Sequence, residues 1–131
     1  MVFILENILN LIVSTLKEYD FIDCAFLFGS FGTDDFMDDS DMDIAILTNK
    51  KISYIDLLEI EELLENKVGV KVDLNILDEL PEHIQLDISI RNEALFIRDY
   101  KNFDKYLDKL NYWYKTEYPF WIKLMSERGR A

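Results

Sequence analysis

Two short apolar runs separated by an acidic loop constrain the fold of this chain more than any other feature. The runs read FIDCAFLFG at residues 21–29 and MDIAIL at residues 42–47. Apolar runs of this length, bounded by Gly, Asp and Ser, are typical of buried β-strands. The loop between them holds the carboxylates Asp34, Asp35, Asp38 and Asp39. Either these four form a solvated acidic loop, or positive charge lies among them.

Helices and a further strand are predicted on both sides of this pair. Apolar residues from Phe3 to Leu16 recur at helical spacing, which predicts an N-terminal core helix. Residues 53–66 predict an amphipathic helix that starts at a Ser53 cap and ends near Gly69. The run GVKVDLNIL then alternates apolar and polar residues, which is the period of a strand with one wet face.

The rest of the chain is predicted to be mainly helical. Pro81 can open a helix that runs to about Asn92, and ALFIRD at residues 94–99 is a candidate fourth strand. Helical spacing resumes from Asn102, and Pro119 should break or kink that last segment.

This order of elements predicts a single domain over residues 1–131. Half of the residues are hydrophobic, which is enough to bury a core. The expected fold class is α/β (α+β), with a small mixed β-sheet flanked by helices. Residues 1–100 are expected to form the core and residues 101–131 a helical tail.

The net charge and the cysteine content limit which classes of partner and which cellular compartment are expected. The net charge is −12, and the basic stretches are Lys50-Lys51 and the terminal ERGRA. Because nucleic-acid binders use clustered Lys and Arg, we expect a basic protein or a metal-bound small anion rather than a nucleic acid. The one cysteine, Cys24, cannot form a disulfide within the chain, so we expect a buried thiol and a cytoplasmic protein. The N-terminal apolar segment is too short and too polar to span a membrane.

Three carboxylates are placed to form a metal site. Asp41 and Asp43 lie two apart where a strand begins, so both side chains point to one face. Asp73 lies on the polar face of a second predicted strand, and the three converge if these strands are neighbours. Carboxylate oxygens suit Mg²⁺, and two such ions would form a phosphoryl-transfer site.

The Gly29-Ser30 turn after the first strand supplies a candidate phosphate site. Gly29 lets backbone approach a ligand closely, and Ser30 would open a helical turn whose free N–H groups attract phosphate. Metal ligands and phosphate donors together predict Mg²⁺ and a nucleoside triphosphate as ligands.

The sequence does not match two other ion-binding motifs, the EF-hand and the P-loop. In an EF-hand loop that starts at Asp39, the sixth residue should be Gly but is Ile44, and the twelfth should be Glu but is Lys50. A P-loop needs a Gly-Lys pair, which the sequence lacks.

The combination of Gly29-Ser30, Asp41-Met42-Asp43 and Asp73 resembles the composite motif of the DNA polymerase beta superfamily of nucleotidyltransferases. The length and the leading helix are similar to the minimal nucleotidyltransferases (MNT), which are often antitoxins paired with HEPN-domain toxins. The resemblance covers most of residues 1–100. The loop departs from it, because relatives often carry a basic residue after Gly-Ser and this chain reads FGTDDFMDD, which leaves more charge for metal to balance.

The resemblance implies an enzyme that uses Mg²⁺ and ATP. Asp41 and Asp43 would hold two Mg²⁺ ions, Asp73 would hold the catalytic ion and help to deprotonate the acceptor hydroxyl, and Gly29 and Ser30 would bind the triphosphate. In MNT–HEPN pairs, AMP passes to a tyrosine of the toxin and blocks its RNase activity. The resemblance therefore implies an antitoxin in a hetero-oligomer with a cognate HEPN-type toxin.

Two other functions stay open. The same fold could neutralise its partner by contact alone, with catalysis incidental. It could also be an antibiotic nucleotidyltransferase, although such relatives generally need a further domain to hold the drug.

Some conspicuous residues are expected to be structural. His83 is the only histidine of the sequence and lies on the predicted helix after Pro81, so we expect a surface or helix-start position rather than a catalytic role. The tail is rich in aromatic residues: Tyr112, Trp113, Tyr114, Tyr118, Phe120 and Trp121. These side chains either pack against the sheet or form a partner surface.

Overall fold

The computed structural model describes residues 2–29, 41–91 and 94–129 as a succession of helices and strands. The elements are α1 (Val2–Lys17), β1 (Ile22–Phe28), β2 (Met42–Thr48), α2 (Tyr54–Val68), β3 (Val72–Ile76), α3 (Glu82–Arg91), β4 (Ala94–Ile97), α4 (Tyr100–Thr116) and α5 (Tyr118–Gly129). Each helix and strand predicted from the sequence is present and in the predicted order. A 3₁₀ turn at Leu77–Glu79 was not predicted.

The strands form a four-stranded mixed sheet with the order β3-β2-β1-β4. β1 pairs antiparallel with β2 and with β4, whereas β2 and β3 are parallel. Parallel neighbours need a crossover connection, which α2 supplies here. The predicted fold class, a small mixed sheet flanked by helices, is confirmed.

Both ends of the crossover helix α2 carry the predicted caps. The Ser53 side chain accepts a hydrogen bond of 3.1 Å from the Asp56 N–H, as an N-cap does. Gly69 ends the helix in the left-handed conformation, with φ of +75°, and its N–H donates to the Glu65 carbonyl. Ile60 and Leu64 bury one side of the helix in the core.

Alternate side chains of the strands build a core on each face of the sheet. On one face the sheet packs against α1 and α2 through residues that include Ile12, Leu16, Ile44, Leu64 and Leu74. On the other face it packs against α3 and α4 through residues that include Phe26, Leu47, Ile88, Phe103 and Leu110. Cys24 belongs to this second core and is a buried free thiol, as predicted. His83 lies exposed near the start of α3, which confirms its surface position.

The tail divides into a packed part and an exposed part. Phe103, Tyr106 and Leu110 of α4 are buried, whereas Tyr112 is 71% and Phe120 68% exposed. The Tyr118 ring lies 5.5 Å from the Trp113 ring and 4.9 Å from the Tyr114 ring. The helix stops after Thr116 and restarts at Tyr118, so the break predicted for Pro119 is confirmed. No helix of the described residues is long and apolar enough to cross a bilayer.

Candidate functional site

The parallel pairing of β2 and β3 places Asp43 directly opposite Asp73. Residues in register on neighbouring strands share a face of the sheet, so the two carboxyl groups lie close enough for the charge of Asp73 to act on Asp43. Asp43 is half-buried, whereas Asp73 is exposed. The condition stated from the sequence, that these two strands are neighbours, is met, and the pairing brings together two of the three carboxylates.

The charges around Asp43 oppose its ionisation. Burial is the main cause that raises the pKa of Asp43, followed by the charges of Asp73 and of Asp41 and by the hydrogen bond with Asp73. Asp41 lies exposed immediately before β2. Each neighbouring negative charge destabilises the ionised form of Asp43. A bound cation would therefore reduce the repulsion among the carboxylates of Asp41, Asp43 and Asp73.

The carboxylates of Asp43 and Asp73 suit magnesium as a pair of ligands, and among the described residues they do not belong to a complete set of protein ligands. Within residues 2–29, 41–91 and 94–129, no group of three or more acidic, His or Cys side chains is arranged to hold a metal ion. Asp43 and Asp73 form the close pair, and Asp41 acts on Asp43 through its charge. Mg²⁺ is commonly held by one or two carboxylates and completed by water and substrate phosphates, so the pair suits this ion.

Gly29 lies against the Asp43 carboxylate at the end of β1. Its φ of +79° is in the left-handed region, and a Cβ atom built there would stand 2.3 Å from Oδ2 of Asp43. Glycine leaves room for that carboxylate in its present position, and a residue with a Cβ atom would displace it. Ser30 and the loop acids Asp34, Asp35, Asp38 and Asp39 lie outside the described residues, so their roles stay predictions.

Backbone contacts fix the strand ends that carry the carboxylates. The Met42 N–H donates to the Lys71 carbonyl at 2.7 Å, which ties the start of β2 to the start of β3. The Glu65 carboxylate accepts from the Val72 N–H at 3.0 Å, and the Glu61 carboxylate accepts from the Leu74 N–H at 2.9 Å. The sequence assigned no role to these glutamates, since acids spaced four apart on an amphipathic helix look like a solvated face.

A separate cleft of about 520 Å³ opens at the other end of β2, where Leu47 and Asn49 lie. One of its lining residues is the buried Asp23, whose two carboxylate oxygens accept hydrogen bonds from the side-chain amides of Asn49 and Asn102. Asp23 is thus already bound by neutral donors, whereas Asp43 faces further carboxylates. The geometry therefore favours the Asp43–Asp73 pair as the candidate site.

One known protein family matches most of the chain. The family model described as "Polymerase beta, Nucleotidyltransferase" matches residues 10–101. That segment contains Gly29, Asp41, Asp43 and Asp73. No curated protein matches the sequence.

Chains from solved toxin–antitoxin complexes share the fold. One, from a double Asp-to-Glu mutant of the MntA–HpeT complex, has a TM-score of 0.75 at 18% identity, over 91% of this chain and 96% of that chain. Another, from a tri-AMPylated Shewanella oneidensis HEPN toxin in complex with MNT antitoxin, has a TM-score of 0.74 at 18% identity, over 94% and 97%. A third, from a toxin–antitoxin complex with AMP-PNP, has a TM-score of 0.74 at 19% identity, over 91% and 96%.

Proposed function

Because the chain belongs to the polymerase beta nucleotidyltransferase family, we propose that it transfers AMP from ATP to a tyrosine of a HEPN-type toxin and so neutralises that toxin. The observation that carries this proposal is the pairing of Asp43 with Asp73 in register, beside Gly29. A half-buried and an exposed carboxylate in register provide a cation site, and the glycine leaves backbone accessible next to it.

In the proposed reaction, the tyrosine oxygen attacks the α-phosphorus of ATP. The bond from the α-phosphorus to the oxygen that bridges to the β-phosphate breaks, and pyrophosphate leaves with the bonding electron pair. Asp73 accepts the hydroxyl proton, a role compatible with its exposed position, because an acceptor carried on another molecule can reach it. Gly29 and Ser30 bind the triphosphate through backbone and hydroxyl donors.

Asp41, Asp43 and Asp73 are the proposed ligands of Mg²⁺, with two ions as the family resemblance implies. Bound Mg²⁺ supplies the positive charge that offsets negative charge on the reacting phosphoryl group. The repulsion that raises the pKa of Asp43 makes these side chains receptive to a cation. Strand pairing with Phe28 and Asp73 fixes the backbone that carries the Asp43 side chain.

Charge and fold both favour a protein acceptor. The net charge of −12 steers a basic partner toward the chain. One structural neighbour is the complex of an AMPylated HEPN toxin with its MNT antitoxin. The exposed aromatic side chains Tyr112 and Phe120 of the tail offer a surface that such a partner could cover.

Intact mass of the partner after incubation with ATP and Mg²⁺ tests the proposal. The wild-type chain should add one or more AMP units to a cognate HEPN-type partner, and Asp73→Asn should add none. Asp104→Asn, which removes an exposed carboxylate of α4, is the matched control and should behave as the wild type.

Neutralisation by contact alone is the second candidate. It is favoured by the exposed aromatic residues of α4 and α5, which provide a binding surface independent of the carboxylates. A partner that is bound and silenced by both the wild type and Asp73→Asn, with no change in mass, would establish this function instead.

A further inference from the structure

We propose that Glu61 and Glu65 are positioning residues that hold Asp73 opposite Asp43 by binding the backbone on both sides of it. This inference rests on the proposed function, in which Asp73 is a metal ligand and proton acceptor. Neither glutamate touches the candidate site directly, so both act through the strand that carries Asp73.

The two glutamates bind the residues that flank Asp73. The Glu65 carboxylate accepts a 3.0 Å hydrogen bond from the Val72 N–H, and the Glu61 carboxylate accepts a 2.9 Å hydrogen bond from the Leu74 N–H. Both acceptors are half-buried carboxylates, and backbone bonds to such groups are stronger than bonds between neutral partners. The backbone is therefore fixed immediately before and immediately after Asp73.

The spacing of the helix matches the spacing of the strand. Residues four apart on an α-helix are separated by about 6 Å along its axis, and residues two apart on a strand by about 6.6 Å. Glu61 and Glu65 can therefore reach the N–H groups of Leu74 and Val72 at the same time. A single bond would let β3 pivot, whereas two bonds one helical turn apart resist both sliding and twisting of the strand.

The helix that carries the glutamates is itself anchored. Ile60 and Leu64, each one residue before a glutamate, are buried in the core. The Lys67 side chain donates to the Thr15 hydroxyl at 3.2 Å and so links α2 to α1. The glutamates consequently transmit the position of the rigid core to β3.

β3 needs such support because it is an edge strand. Among the strands of the described residues, its one neighbour is β2, in the order β3-β2-β1-β4. The outer N–H groups of an edge strand lack strand partners, so such strands are covered by other means. If Glu61 and Glu65 only covered this edge, their role would be purely structural. The positioning role differs because it predicts that their loss changes metal binding even when the fold is intact.

The test compares three double variants by their affinity for Mn²⁺, a paramagnetic probe that prefers the same oxygen ligands as Mg²⁺. Glu61→Ala/Glu65→Ala removes both bonds. Glu61→Gln/Glu65→Gln keeps an oxygen acceptor at each position and removes the charge. Glu59→Ala/Glu62→Ala removes two exposed carboxylates of the same helix and is the charge-matched control. All are measured at a temperature at which circular dichroism shows them folded, and amide exchange is followed at Val72 and Leu74.

The positioning role predicts about tenfold or greater loss of Mn²⁺ affinity in the alanine double variant, the loss typical of groups that orient metal ligands. Both amides should exchange faster in that variant. The control should stay close to the wild type, and the glutamine variant, which keeps weaker neutral bonds, should lie between the wild type and the alanine variant. Wild-type Mn²⁺ affinity in the alanine variant, despite faster amide exchange, would overturn the proposal, as would an equal loss in the control.

Failure of the proposed function gives a different result. If the wild type adds no AMP to its partner, yet its Mn²⁺ affinity falls with Asp73→Asn and with the alanine double variant, the transfer reaction is wrong and the positioning role is supported.

Discussion

Gly29 and Asp43 are so close that a methyl group at position 29 would stand 2.3 Å from the Oδ2 atom of Asp43. Gly69 has nearly the same φ, +75° against +79°, but nothing lies within 4 Å of a Cβ atom built there. The two glycines share the same backbone conformation and differ in their contact with the candidate site. They therefore form a natural pair for comparison.

We expect Gly29→Ala and Gly69→Ala each to lose about 1–2 kcal/mol of unfolding free energy, because both place a Cβ atom in the left-handed region. Only Gly29→Ala should also displace the Asp43 carboxylate. A displacement of about 1 Å can cost about 100-fold in rate. Urea denaturation and AMP transfer by folded protein measure the two effects separately. Equal loss of transfer in both variants would contradict the role assigned to this contact.

Asp43→Asn should abolish transfer while it stabilises the metal-free protein. The loss of rate should reach about 10³-fold, as for other groups that stabilise developing charge. Stability should rise because the half-buried Asp43 carboxylate is opposed by the charges of Asp73 and Asp41. Denaturation in EDTA and a transfer assay test both parts, with Asp104→Asn as the exposed control. A metal-free protein destabilised by Asp43→Asn would show that the carboxylate is structurally required instead.

Mg²⁺ with ATP should stabilise the folded chain. At about 100 times the dissociation constant, binding to the native state alone contributes about 2.7 kcal/mol. The double variant Asp41→Asn/Asp43→Asn should lack this effect, and EDTA should remove it from the wild type. Thermal melting with and without the ligands is the measurement. A shift of equal size in the double variant would place nucleotide binding elsewhere.

The Cys24 thiol should make stability fall in alkaline solution. Burial, reinforced by the charge of Asp23, raises the pKa of Cys24 from 9.0 to about 12. The folded state therefore keeps a proton that the unfolded state loses. The contribution of the thiol to the free energy of unfolding is complete below pH 9.0 and declines as pH rises toward 12. Burial also raises the pKa of Tyr106, whose ordinary value is 10.0, so the decline just above pH 9.0 reports mainly on the thiol. Urea denaturation measures the free energy of unfolding at each pH. This free energy should fall less with rising pH in Cys24→Ala than in the wild type, and an equal fall in both would contradict the role of the thiol.

Local chemistry made the elements predictable from sequence. Ser53 and Gly69 bound α2 because a hydroxyl can cap the first turn and a glycine can adopt positive φ at the last. The alternation around Asp73 identified β3 because Val72 and Leu74 are both needed in the core. Each of these features depends on residues close together in the chain.

Relations between distant residues were not predictable in the same way. The exact pairing of Asp43 with Asp73 depends on the parallel register of β2 and β3, which the packing of α2 against the sheet determines. The bonds from Glu61 and Glu65 to β3 could be recognised only once the helix and strand were placed side by side. The sequence singled out Asp41, Asp43 and Asp73 as candidate ligands and left open how closely they approach one another.

The pairing of β1 with β4 has a consequence for synthesis of the chain. β1 ends at Phe28 and its outer partner begins at Ala94, so roughly 65 residues separate them. At about 5–20 residues per second, a ribosome needs about 3–13 s to make that segment. During this interval β1 can pair with β2 while its other edge stays open. The nascent sheet therefore passes through a stage in which its central strand can pair with a foreign strand, and emergence of Ala94–Ile97 ends that stage.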